Sequence, residues 1–145
     1  MRNIIFRGKA THKGNTPNNW VYGGCLITPM GNTFIIPNTA PKFNSKGEYE
    51  AKAIEVCFVC QSTGMNDKHG REIYNGDILA HNGRVIGHVE EGRGYCFKVV
   101  YAHPIPGGDE DWSLYYVVVY DYEGDVEIVG NIYDNPEMLK KGGEK

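Results

Sequence analysis

Short apolar runs broken by turn residues fill the chain, and no stretch keeps the three-to-four-residue apolar spacing of a long helix. Residues 54–61 alternate as a strand does, with Ile54, Val56, Phe58 and Cys60 on one face and Glu55, Cys57, Val59 and Gln61 on the other. Upstream, residues 6–9 read as extended and residues 20–27 as a strand kinked at Gly23-Gly24. Residues 33–36 form a short strand between Asn32 and Pro37. Residues 37–53, with Pro37, Pro41, Asn44 and Gly47, read either as a long loop or as the approach to the 54–61 strand.

The second half is punctuated more clearly. Asn82-Gly83 lies between two apolar runs and predicts a two-residue hairpin turn, whose residues both need positive φ. That loop sets a register pairing His81 with Arg84, Leu79 with Ile86 and Asp77 with His88 on one face. The opposite face, with Ile78, Ala80, Val85 and Val89, is then the core side. Residues 95–101 alternate again after Gly92-Arg93-Gly94. Residues 114–120 are wholly apolar or aromatic and rich in β-formers, which predicts a central strand. Leu114, Tyr116, Val118 and Tyr120 would share one of its faces, and Tyr115, Val117 and Val119 the other. Asn135-Pro136 offers a cap followed by a first-turn proline, so one helical turn is expected to run to Lys140. The expected fold class is mainly β, a small antiparallel protein. It comprises an irregular β-rich N-terminal lobe over residues 1–60, a small curled sheet or SH3-like barrel over residues 61–139 with one short C-terminal helix, and a polar tail at 140–145.

Composition adds limits. The chain has 145 residues and a formal net charge of −3, with 15 Lys+Arg against 18 Asp+Glu. It therefore lacks the basic footprint of a general nucleic-acid binder. No apolar run approaches a span of ~20 residues, so no membrane partner is expected. The charge at Arg7 interrupts the opening apolar stretch, so a secretory signal is not expected and a cytoplasmic location is. Asp109-Glu110-Asp111 follows Gly107-Gly108 and reads as a solvated loop. Cys57 and Cys60 have zinc-knuckle or redox spacing without the second pair that a zinc site needs. On a strand their sulfurs would lie on opposite faces, so Cys25, Cys57, Cys60 and Cys96 are expected to be buried free thiols. Nineteen glycines and ten tyrosines are the compositional anomalies.

A more specific signal sits at residues 61–79. Gln61-Ser62-Thr63-Gly64-Met65-Asn66-Asp67-Lys68-His69-Gly70-Arg71-Glu72-Ile73-Tyr74-Asn75-Gly76-Asp77-Ile78-Leu79 closely resembles the signature of the YopX family of phage and prophage proteins. A second stretch, Ile128-Val129-Gly130-Asn131-Ile132-Tyr133-Asp134-Asn135-Pro136-Glu137-Met138-Leu139, is similar to the family's closing motif, and Ile5-Phe6-Arg7-Gly8-Lys9 to its start. Ser62 stands where the pattern has an aromatic residue, and His69 where it has asparagine. The resemblance implies a small β protein with an SH3-type C-terminal barrel, encoded by tailed phages or prophages and assembling as a homo-oligomer in the bacterial host cell. It implies no catalytic residues and no cofactor.

Candidate chemistry is sparse. Turn preferences account for Asp67-Lys68-His69-Gly70 and Asn75-Gly76-Asp77; the alternative is an exposed loop recognising a partner through Thr63, Asp67 and Tyr74. Asp77, His81, Arg84 and His88 share the expected hairpin face, where an Asp–His pair can orient a general base or two histidines can hold a metal. The bland reading is a solvated ladder of cross-strand pairs, and no metal site is assigned. Asp121, Glu123 and Asp125 mimic the start of a calcium loop, but Val126 and Ile132 stand where that loop needs Gly and Glu. Trp112, Tyr115, Tyr116 and Tyr120 cluster without accompanying positive charge, which favours a protein interface over stacked nucleic acid. The leading expectation is a non-enzymatic accessory protein that self-assembles and binds an unidentified phage or host protein. One alternative is a nucleic-acid adaptor using Arg71, Arg84, Arg93 and Lys98, and another is a metal-dependent hydrolase built on Asp77, His81 and His88.

Overall fold

The structure, a computed structural model, describes residues 5–11, 20–37, 42–50, 53–92 and 96–139. Expectations for Arg93, Gly94, Tyr95 and the 140–145 tail fall outside these residues. The protein is mainly β with antiparallel sheets. Its chain divides into two compact units, residues 1–61 and 62–145.

In the first unit, β1 (Phe6–Ala10), β2 (Trp20–Ile27), β3 (Thr33–Pro37) and the start of β6 (Ile54–Asn66) pair in a closed cycle, since β6 meets both β3 and β1. The ambiguous stretch before β6 contains a small hairpin of β4 (Lys42–Phe43) and β5 (Tyr49–Glu50). Its turn is closed by Asn44, whose side-chain oxygen accepts the Lys46 and Glu48 amides at 2.9 Å each. Val21, Ile35 and Val56 form the core of this unit. The alternation expected over residues 54–61 breaks at Phe58, which has φ 53. Cys57 pairs with Lys9 and Cys60 with Arg7, so three steps on β6 match two on β1. This bulge turns Val59, rather than Phe58, toward the Val56 core and leaves Phe58 exposed. Only Cys60 is buried; Cys57 and Cys96 are exposed and Cys25 is partly buried, so the expected burial of all four thiols is corrected.

The second unit contains the end of β6 paired with β7 (Glu72–Tyr74), and a five-stranded sheet. Its remaining strands are β8 (Asp77–His81), β9 (Arg84–Glu91), β10 (Phe97–Tyr101), β11 (Asp111–Ser113) and β12 (Glu127–Asn131), in the order β11-β10-β9-β8-β12. Asn82 and Gly83 take φ 50 and 78, as the turn requires, and His81 pairs with Arg84. Beyond Ala80–Val85 the register slips by one: Leu79 pairs with Gly87 and Ile78 with His88, leaving Ile86 as the extra residue. The expected Asp77–His88 pair therefore does not form. Leu79 and Ile86, assigned to the solvated face, are instead buried in the main core with Ile73, Val89, Val99 and Val126. The slip lets both sides of the hairpin contribute apolar residues.

The largest departure lies at residues 114–120. Leu114–Tyr116 is one α-helical turn and Val117–Asp121 a π-helical one, in place of the central strand. A strand period mixes tyrosines with aliphatics on each face. A helical period buries Leu114, Val117 and Val118 and exposes Tyr115, Tyr116, Val119 and Tyr120. The wide turn is closed by the Tyr122 amide donating to the Val117 carbonyl at 3.1 Å and the Gly124 amide to Val118 at 2.7 Å. This arrangement predicts that Val117→Ala and Val118→Ala each cost about 1.5–3 kcal/mol, two methylene-sized groups plus a cavity. Tyr116→Ala is expected to change stability by less than about 0.5 kcal/mol. Urea unfolding of the three variants checks the helical phase. The closing helical turn is a 3₁₀ turn at Pro136–Leu139.

Candidate functional site

The signature loop is built around Asp67. Its side chain is wholly buried and accepts the amides of His69 at 3.0 Å, Arg71 at 2.9 Å and Ile128 at 3.1 Å. The Arg71 Nε donates to the same carboxylate at 3.1 Å, and Arg71 Nη2 donates to the Ile128 carbonyl at 3.0 Å. The Lys68 amide donates to the Val126 carbonyl at 2.8 Å. Side chains and one amide of the loop thus occupy the hydrogen-bonding groups at the start of β12, as a neighbouring strand would. Burial pushes the Asp67 carboxyl up, but the three amides and the Arg71 guanidinium outweigh it and hold it below the usual range.

Thr63 and Tyr74 are also structural. Thr63 is buried, its hydroxyl donating to the Ile73 carbonyl at 2.7 Å and accepting the Met65 amide at 3.2 Å. Tyr74 is buried, and its amide donates to Asp77 at 2.7 Å. Thr63, Asp67 and Tyr74 therefore do not form the exposed recognition loop that was the alternative for this segment.

The Asp77, His81, Arg84 and His88 group is dispersed. Asp77 is 1% exposed and closes its own turn. His81 Nδ1 lies 2.7 Å from the Asp125 carbonyl, which only accepts, so that nitrogen carries the proton. Its Nε2 then accepts from the Asn82 side chain at 3.2 Å, and its ring lies 4.8 Å from that of Tyr122. His88 faces Glu90 at 3.3 Å. Arg84 is exposed beside a cleft of about 560 Å³. Among the described residues no group of three or more His, Cys, Asp or Glu could hold a metal ion. Burial raises the Cys25 thiol above its ordinary value, which disfavours the thiolate that redox chemistry uses.

The four aromatic candidates do come together. The helical turns place Trp112 and Tyr116 edge to face at 6.1 Å, Tyr115 and Tyr120 likewise at 6.1 Å, and Tyr116 and Tyr120 at 4.8 Å. All four are exposed, Tyr120 by 59%. Lys98, the nearest candidate cation on β10, is held by Asp111 at 3.1 Å.

The family model described as YopX protein matches residues 18–140. The chain belongs to the YopX family. A solved structure, that of protein EF1440 from Enterococcus faecalis, is similar in fold, with a TM-score of 0.53 and 22% identity over 95% of this chain and 99% of the other. No curated protein matches the chain. The two YopX-like motifs of this chain meet in the structure, since Asp67 and Arg71 of the first bind the backbone of Ile128 in the second. Both departures from the signature have local partners: the Ser62 hydroxyl donates to Glu72, and His69 Nε2 lies 3.3 Å from Glu127. Among the described residues no helix is long and apolar enough to cross a membrane. The cleft beside Arg84 escaped the sequence reading, because its walls are drawn from residues 84 to 122; the Pro104–Pro106 loop before Gly107-Gly108 was the available signal.

Proposed function

We propose that this YopX-family chain is a non-enzymatic phage or prophage accessory protein of the bacterial cytoplasm that self-associates and binds a protein partner. In this reading the C-terminal unit is an SH3-like barrel that serves as an interaction scaffold. The observation that carries it is the contiguous, exposed cluster of Trp112, Tyr115, Tyr116 and Tyr120, a composition enriched at protein interfaces. The occupant is a second copy of the chain: a self-complementary aromatic patch suits an isologous two-fold contact. A nucleic-acid partner is less well supported. Arg71 is tied to Asp67 and Lys98 to Asp111, while Asp109, Glu110, Asp121 and Glu123 are exposed. The hydrolase reading finds no support in the separate partners of Asp77, His81 and His88.

Native mass spectrometry tests the proposal. The full chain is expected as a dimer or larger, and Tyr116→Ser with Tyr120→Ser is expected to weaken association at least about 100-fold, as loss of two hot-spot aromatics would. Thermal unfolding serves as the folding control, since both side chains are exposed. A native chain that remains monomeric at about 100 μM, a concentration far above the Kd of a specific dimer, overturns the reading.

A further inference from the structure

The cleft beside Arg84 opens between the start of β9 and the loop joining β10 to β11, and none of the four patch aromatics lines it. Its volume of about 560 Å³ lies in the range of ligand sites. Ile86 and the Tyr122 ring form its apolar wall. Arg84, His103, Asp109 and Tyr101 line it too, and none of their side chains makes a hydrogen bond or ion pair among the described residues.

These groups are sorted by charge along the strand. Tyr101 pairs with Gly87, and the bulge at Ile86 leaves two ladder steps between Gly87 and Arg84, so the two levels lie roughly 7 Å apart. Asp109 belongs to the Tyr101 end, because the Tyr101 amide donates to the neighbouring Glu110 carbonyl at 2.9 Å. Burial raises the Tyr101 hydroxyl, and Asp121, Tyr122, Asp109 and Asp111 raise it further, so the field at this end is negative. Asp111 is already matched by Lys98, whereas Asp109 and Asp121 are not. At the other end stands Arg84. A small-molecule site encloses most of its ligand. Here Arg84, His103, Ile105 and Asp109 are all exposed, so the cleft is open along its length and suits a chain laid across it.

We propose that this cleft binds an extended peptide segment of a partner protein that carries a basic and an acidic side chain two residues apart. The basic group lies against Asp109 and the Tyr101 ring, the acidic group meets Arg84, and the peptide backbone between them crosses Ile86 and the Tyr122 ring, the intervening side chain pointing to solvent. Cation–π contact and carboxylate pairing act together on the basic group. A span of two residues covers roughly 7 Å of extended backbone, which matches that separation.

The test is titration of the ¹⁵N-labelled full chain with acetyl-Lys-Phe-Glu-amide, followed by NMR. Amide shifts are expected in residues 84–87 and 101–109. Replacing the peptide's Lys or its Glu by Gln is expected to raise the Kd about two- to fivefold in each case, as loss of a rim charge pair would. Arg84→Glu, an exposed position, removes the advantage of the Glu-containing peptide over its Gln counterpart. The Tyr116→Ser/Tyr120→Ser variant binds as the native chain does, so failure of self-association leaves this site standing and the reverse also holds. The absence of cleft shifts at about 5 mM peptide, or equal affinity for all three peptides, overturns the proposal.

Discussion

Asp67→Ala is expected to lower the stability of the C-terminal unit by about 3–5 kcal/mol, the cost of stranding three amides that donate to a buried carboxylate; the half-exposed Arg71 side chain adds little. The substitution strands the amides of His69, Arg71 and Ile128 and releases the Arg71 guanidinium from the edge of β12. Domains of this size are stable by only about 5–15 kcal/mol, so part of the population would unfold at ambient temperature. Asp67→Asn retains one acceptor oxygen and recovers half of the loss, about 1.5–2.5 kcal/mol. The pH dependence carries a second signature. The folded carboxyl titrates below its ordinary value, near ~3.9 in the unfolded chain. Its contribution is therefore fully present above the unfolded pKa and is lost as pH falls through the folded one. Urea unfolding should show a constant gap between the native chain and Asp67→Asn above about pH 5, shrinking below about pH 4. A gap independent of pH down to about 2 would mean that the Asp67 charge plays no part.

Gly87→Ala is expected to cost about 3 kcal/mol, at the upper end of overpacking, because the new methyl group meets backbone rather than a movable side chain. Gly87 sits mid-sheet, paired with Leu79 on one side and Tyr101 on the other. A Cβ there would overlap the Val100 carbonyl oxygen, so β9 and β10 would have to separate. Hydrogen exchange should then accelerate at the amides of residues 97–101 more than at those of residues 77–80. Unchanged exchange and an unchanged urea midpoint would show that the sheet accommodates the methyl group. Gly24, which has nothing within 4 Å of its Cβ position, is the control: Gly24→Ala should shift the midpoint little.

Much of the β architecture is legible locally. The bounds of β2 coincide with the 20–27 run, and the Asn82-Gly83 turn appears where its φ requirement predicts it. Asp67 closes its own turn through the His69 amide, as turn chemistry anticipates. Its second task, on Ile128, is invisible in the sequence because the two residues are brought together only when β12 joins β8. The bulges at Phe58 and Ile86 escape for a similar reason. Neither follows from local propensity, and each exists because partner strands demand apolar residues on a particular side. Asp77 and His88 illustrate the consequence, since one slipped residue separates a pair that an unbroken ladder would align.

Residues 114–120 show where the boundary lies. Sequence alone determined that this stretch is apolar, aromatic and in need of cover, that the protein is mainly antiparallel β, and that its YopX-like motifs form turns. Only the tertiary structure decided that the stretch is helical. A seven-residue apolar run satisfies either period, and the choice falls to whichever buries Leu114, Val117 and Val118 together against the sheet. That choice also gathers Trp112, Tyr115, Tyr116 and Tyr120 on the surface and sets Tyr122 against the cleft. Propensity is a local quantity, whereas burial is settled by the whole chain.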